Sequence, residues 1–219
     1  MRDYRTFLTD SVGEFVVNKS RFIGSGFCVN SQKEAEDILQ SVRKKYYDAT
    51  HNCYAYIVGE NSENPKSSDD GEPSGTAGKP MLEYLKNNSL TNCLVTGTRY
   101  FGGIKLGTGG LSRAYGDCAK IAAANNTIVE KRVFTKANVT FDYTYLGKIQ
   151  NYIKKNELIS RPPEFAENVL IPVFMRDEKL KQICDNLNDL TAGEVKIEPK
   201  NQVYLNFVDE VFDEKSSFM

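Results

Sequence analysis

The stretch TRYFGGIKLGTGGLSRAYG, residues 98–116, decides how this chain is read. Its first residues end a β-branched run that starts near residue 92. Its last residues open an apolar stripe, Leu111, Ala114, Tyr115, Cys118, Ile121 and Ala122, at helical spacing. Between strand and helix stand Gly102, Gly103, Gly107, Gly109 and Gly110. So many glycines at one junction imply a backbone path that side chains would obstruct, and such a path leaves N–H groups unpaired. If Gly107, Thr108, Gly109 and Gly110 curl into the helix start, their amides and the positive helix end make a seat for a phosphate or carboxylate. The charges agree: no Asp or Glu lies between Tyr84 and Gly116, whereas Lys86, Arg99, Lys105 and Arg113 are cationic. Arg113 falls in the first helical turn, where the dipole disfavours a cation by roughly 0.3–1 kcal/mol. Asp117 offsets only part of that, so an anion would complete the site. The bland reading is that the glycines serve packing alone. Lys105 precedes the GTGG stretch, so there is no G-K-[ST] phosphate loop, and no G-x-G-x-x-G fingerprint sits in a βαβ unit, so neither ATP nor NAD is indicated.

Working outward, residues 12–17 and 21–29 read as a hairpin around the polar turn Asn18, Lys19 and Ser20. Ser31 and Glu34 form a capping box for a helix carried by Ala35, Ile38, Leu39, Val42 and Tyr46. A strand at 52–58, a polar loop at 59–75, a helical stretch from 76 to about 85 weakened by Gly78 and Pro80, and a strand at 92–100 lead into the opening segment. A strand at 127–133 closes a first domain, 1–134. The pattern then restarts, with a strand at 139–145, a helix carried by Leu146, Ile149, Tyr152 and Ile153, and strands at 158–160 and 169–175. A helix carried by Leu180, Ile183, Leu187 and Leu190 precedes an extended segment at 194–208. This β-α-β-β-α-β order is that of a ferredoxin-like domain, 135–219, and the acidic residues 209–214 read as a solvated end.

The bulk properties set bounds. A chain of 219 residues with 40% apolar content has room for two domains, so the fold class expected is α+β in two domains. Its 28 basic and 29 acidic residues nearly cancel, so any surface for nucleic acid has to be local. Five cysteines without a C-x-x-C pair suggest reduced, mostly buried thiols and neither a disulfide framework nor a zinc ribbon. No signal-like start and no membrane-length apolar run occur, so a cytoplasmic protein without a membrane partner is expected.

Three further clusters bear on chemistry. SSDDGEPSGTAGKP, residues 67–80, gathers Asp69, Asp70 and Glu72 before Lys79. The acids suit a Mg²⁺ ion in oxygen count but match no EF-hand spacing. A solvated loop is the bland alternative, and pairing with Arg99, Lys105 or Arg113, folding the loop over the glycine-rich turn, is a third. His51, the only histidine, shares a strand face with Cys53, Ala55 and Ile57. No third orienting group is evident, so the pair reads as core alternation and no catalytic residue is assigned. One histidine excludes a multi-histidine metal site, and no cofactor is expected. Tyr143, Tyr145, Phe174, Tyr204 and Phe207 with Lys148, Lys154 and Lys155 suggest base stacking on a sheet, but the RNA-recognition signature is missing and most should be core.

At SSDDGEPSGTAGKP and RYFGGIKLGTGGLSRAYG, and again at NKSRFIG and THNCYAY, the sequence closely resembles the Impact/YigZ family. The resemblance covers essentially the whole chain. It implies an N-terminal sandwich like domain IV of elongation factor G and a ferredoxin-like second domain like its domain V. It also implies a link to translation, since the eukaryotic relatives compete for an activator of a translation-initiation kinase. The expectation is a regulator that binds RNA, the ribosome or a ribosome-associated protein through Arg99, Lys105, Gly107, Thr108, Gly109, Gly110, Arg113 and Lys79. An enzyme acting on a small phosphorylated or anionic substrate, and a protein-interaction module presenting Asp69, Asp70 and Glu72, are the alternatives. The oligomeric state is left open.

Overall fold

The computed structural model describes residues 1–218 and divides into two compact units. The first comprises Arg2–Lys131 and Asn206–Asp213, and the second centres on Arg132–Leu205.

In the first unit, β1 (Tyr4–Phe7) precedes the hairpin of β2 (Ser11–Val17) and β3 (Ser20–Cys28). The two hairpin residues Asn18 and Lys19 have φ of 45° and 64°, the pair of positive values a tight turn with the right-handed strand twist demands. Helix α1 (Gln32–Lys45) starts where the capping box was expected: Ser31 Oγ accepts from the Glu34 amide, and the Glu34 carboxylate accepts from the Asn30 amide at 2.7 Å. β4 (His51–Val58), β5 (Asn64–Ser68), α2 (Gly78–Asn87), β6 (Cys93–Tyr100), α3 (Gly107–Ala124) and β7 (Ile128–Phe141) follow.

The resulting sheet runs β2-β3-β6-β4-β5, antiparallel throughout, with β6 at its centre. Strand alternation splits β4 between two cores. Cys53, Ala55 and Ile57 face α2 and α3 with Met81, Leu85, Leu111 and Tyr115, while Tyr54, Tyr56 and Val58 face α1 with Ala35 and Leu39. α3 lies so close to the sheet that a Cβ on Gly24 would come within 2.2 Å of the Cys118 carbonyl oxygen.

In the second unit, β7 is followed by a short 3-10 turn, α4 (Leu146–Lys155), β8 (Ile159–Ser160), β9 (Glu164–Phe165), β10 (Val169–Met175), α5 (Asp177–Leu190) and β11 (Lys196–Val208). The order β11-β7-β10-β8, with β10 antiparallel to β7 and β8, is the ferredoxin-like arrangement expected from the element order. Its core joins Val139, Phe141, Ile149, Ile171, Val173, Ile183 and Leu187. The chain ends in β12 (Val211–Phe212) and α6 (Glu214–Ser217). Among the described residues no helix is long and apolar enough to cross a membrane.

Four local expectations need correction. Residues 59–75 are not all loop, because Asn64–Ser68 pairs with β4 as an edge strand, where Pro65 does no harm and exposure removes the hydrophobic signal. The strands expected at 127–133 and 139–145 are one continuous β7, and Tyr143 and Tyr145 lie in the 3-10 turn beyond it. Residues 4–7 form β1, paired with β7, which the sequence reading did not assign. The acidic end is not wholly solvated: Val211 and Phe212 pair with β11.

Candidate functional site

The site begins with strand register. Arg99 on β6 lies opposite Phe22 on β3 and opposite His51 on β4, so three residues far apart in sequence form one row across the sheet. Arg99 is 5% exposed. Its guanidinium sits 5.4 Å from the Phe22 ring centre and 5.2 Å from that of Phe101. Nη1 donates to Glu72 Oε1 at 2.8 Å and Nη2 to Ser20 Oγ at 3.2 Å, while the buried Nε has no acceptor among the described residues.

The segment 69–77 delivers Glu72, and each of its acids has a defined task. Asp69 accepts from the amides of Gly75, Ala77 and Gly78 at 2.8–2.9 Å, capping α2, whose own N-cap residue Ala77 has no side chain to do so. Burial pushes the Asp69 carboxyl up, but these three amides outweigh it and hold the group below its ordinary value. Asp70 accepts the Asn52 amide on one carboxylate oxygen at 2.6 Å, and its carbonyl bonds His51 Nδ1 at 2.8 Å. Since a carbonyl only accepts, Nδ1 carries the hydrogen, and Nε2 is left 3.8 Å from Glu72 Oε1. Glu72 Oε1 also accepts the Tyr115 hydroxyl at 2.7 Å, and burial pushes that phenol's pKa far up. Among the described residues no group of His, Cys, Asp and Glu is placed to hold a metal ion.

Next to this network is a cavity of about 410 Å³. Thr50, His51, Pro73, Phe101, Leu106 and Leu111 form part of its wall. Glu72, Arg99, Lys105, Gly107 and Thr108 complete it. The start of α3 reaches the cavity through Gly107 and Thr108. No side chain caps that start, and its first turn contains no acid, so its leading amides lack an intrahelical partner by geometry. Gly107 has a φ of +72°, a left-handed value that a side chain would strain.

The structure therefore brings Arg99, Lys105, Gly107 and Thr108 to one cavity together with Glu72. Gly109 and Gly110 lie in the same helical turn. Lys105 and Arg113 are exposed, and among the described residues neither makes an ion pair, Arg113 with Asp117 included. Arg99 is different, for its charge is met by Glu72. Lys79 is exposed on α2, 3.9 Å from Glu83, and does not line the cavity. Asp69 and Asp70 hold the loop rather than face the cavity. The sequence reading missed Thr50, Pro73, Phe101, Leu106 and Leu111, and it joined His51 to Cys53 instead of to Glu72. Cys53 is buried, it donates to the Asp69 carbonyl at 2.9 Å, and burial pushes its thiol up to about 12. The aromatics expected to stack bases make no exposed row either. Phe174 and Phe207 are buried, and the half-exposed Tyr143 stacks on Phe165.

An antiparallel three-layer unit with an uncapped glycine-rich helix start, followed by a ferredoxin-like unit, defines a two-domain α+β protein. The Impact N-terminal domain matches residues 18–123, and a domain of unknown function, DUF1949, matches residues 139–194. The IMPACT family member YvyE of Bacillus subtilis (strain 168) is 38% identical over 205 residues, 94% of each chain. The IMPACT family member YigZ of Escherichia coli (strain K12) is 32% identical over 83% of this chain and 90% of its own. A crystal structure described as that of a hypothetical protein superposes with a TM-score of 0.59 at 30% identity, covering 92% of this chain and 98% of that one. The chain belongs to the IMPACT family.

Proposed function

We propose that this protein is a cytoplasmic, translation-linked regulator that binds RNA, the ribosome or a ribosome-associated partner through the glycine-rich turn before α3. One observation carries the reading: the uncapped, acid-free start of α3 has Lys105 just before it and Arg113 in its second turn rather than its first, two exposed cations that no carboxylate neutralises among the described residues. In a chain with a formal net charge of −1, such a spot is a local attraction for phosphate. Its amides suit the same group. Family membership supports the link to translation that the resemblance implies.

The test is retention of ribosomes or single-stranded RNA at low salt, followed by a salt titration. Binding is expected to weaken as salt rises. Each phosphate contact removed should flatten the slope against log salt by about 0.7, so a Lys105→Ala/Arg113→Ala double variant flattens it by roughly twice that. Absence of retention at low salt, or a double variant that binds like the parent, ends this reading. Arg99→Ala is the wrong probe, since it strands the buried Glu72 and unfolds as readily as it unbinds.

A further inference from the structure

We propose that the cavity beside α3 binds a phosphorylated nucleoside, with its phosphate on the amides of the first helical turn and the hydrogen-bonding edge of its base on Glu72. The inference rests on the RNA reading above and names the unit that this site takes.

Three independent features point to such a ligand. The Glu72 side chain is only 3% exposed, and both of its bonds, from Arg99 and Tyr115, fall on Oε1. Oε2 accepts nothing from the described residues, yet it is not among the sealed polar atoms, and Glu72 lines the cavity. A carboxylate oxygen left without a protein donor in the cavity wall is free to accept an N–H or O–H from a ligand. In the wall of the same cavity, the α3 start has neither cap nor acid, and Lys105 lies beside it in sequence. That helix start calls for an anion. Gly109 supplies the third feature. Its φ is not positive and a Cβ there would meet nothing within 4 Å, so neither strain nor packing explains a glycine in a helical turn, where it costs about 0.5–1 kcal/mol relative to Ala. Gly109 is not itself in the cavity wall but follows Gly107 and Thr108, which are, and close approach of a ligand to the amides of that first turn explains it.

The body of the ligand follows from the walls. Phe101, Leu106, Leu111 and Pro73 suit a flat apolar surface. A cavity of about 410 Å³ is more than a bare phosphate or a single amino acid fills, and it lies within the usual range for small organic ligands. A nucleoside phosphate has all three parts: an anion, a flat body and a donor edge. It can be free or one residue of an RNA strand.

Calorimetric titration of the full chain with the four nucleoside 5′-monophosphates, inorganic phosphate and a short single-stranded RNA tests this. Gly109→Asp is the main variant. It adds its side chain to open space and puts an acid where a helix start favours one, so the fold is kept, while its carboxylate occupies the phosphate seat. Glu72→Gln is the second, with a thermal melt to show whether it folds; should it not, Gly109→Asp carries the test alone. Loss of mononucleotide affinity by about tenfold or more in Gly109→Asp supports a pocket for free nucleotides. The same loss seen only with RNA supports a pocket for one residue of a strand. Inorganic phosphate binding as tightly as the mononucleotides overturns the nucleoside assignment. RNA bound equally by parent and Gly109→Asp, with no mononucleotide binding, overturns the pocket and leaves the RNA reading standing. No binding of any probe ends both.

Discussion

Single residues explain why the acidic loop, which invited a metal reading, is better understood as a clamp. Asp69 replaces the missing cap of α2, and the same segment carries Glu72 to Arg99. Asp69→Ala should lower stability by about 1–2 kcal/mol, read as a shift in the urea midpoint at unchanged slope. The pH dependence has a definite sign. Because the folded group titrates below its ordinary value of 3.8, its stabilisation is complete above that value and fades as pH falls through it toward the lower folded value. Parent and variant should therefore differ near neutral pH and converge in acid; a difference that persists unchanged to pH 2 would contradict the cap. The sequence showed that Asp69, Asp70, Glu72 and Arg99 were worth grouping, but not their division of labour. Which acid meets the arginine depends on the register that sets Arg99 opposite His51, and register is a property of pairing between strands.

Elements were legible where one local signal sufficed. The Ser31–Glu34 capping box, the stripe of α3 and the alternation of β4 each came from a hydrophobic period or a cap. β5 escaped because NPKSS, nearly all exposed, offers no apolar face, and β12 because two residues carry no period at all. The junction before α3 was legible as a bend but not as a cavity wall, since Thr50, Pro73 and Phe101 join it only when three separate loops converge. The glycines of this region therefore make contrasting predictions. Gly24→Ala drives a Cβ toward the α3 backbone at 2.2 Å, so helix and sheet must part, at a cost of about 1–3 kcal/mol or more. Gly109→Ala meets open space in a helical turn and should stabilise by up to about 1 kcal/mol. Chemical denaturation of both variants checks the contrast. Equal effects would mean that α3 does not pack on β3 as described.

At the scale of the whole molecule, the chain order hides how each unit is completed. A boundary near residue 134 looks clean in sequence, because the hydrophobic pattern pauses there and resumes. Yet β7 runs through that point without a break, and Asn206–Asp213, near the far end of the chain, belongs with Arg2–Lys131. That returning segment contributes Phe207, 8% exposed, with its ring 5.7 Å from that of Phe212, and a backbone bond from the Asp213 amide to the Asn206 carbonyl at 2.8 Å. Removal of a buried phenylalanine alone costs about 3–5 kcal/mol, a large part of the stability of a domain. A chain ended after Leu205 should therefore lose stability in its first unit, although every residue of the Impact N-terminal match and of the glycine-rich turn is still present. Limited proteolysis followed by mass spectrometry reads this directly: new cuts are expected within residues 2–131 of the shortened chain. If those residues stay as protected as in the full chain, the returning segment is dispensable to the unit it joins.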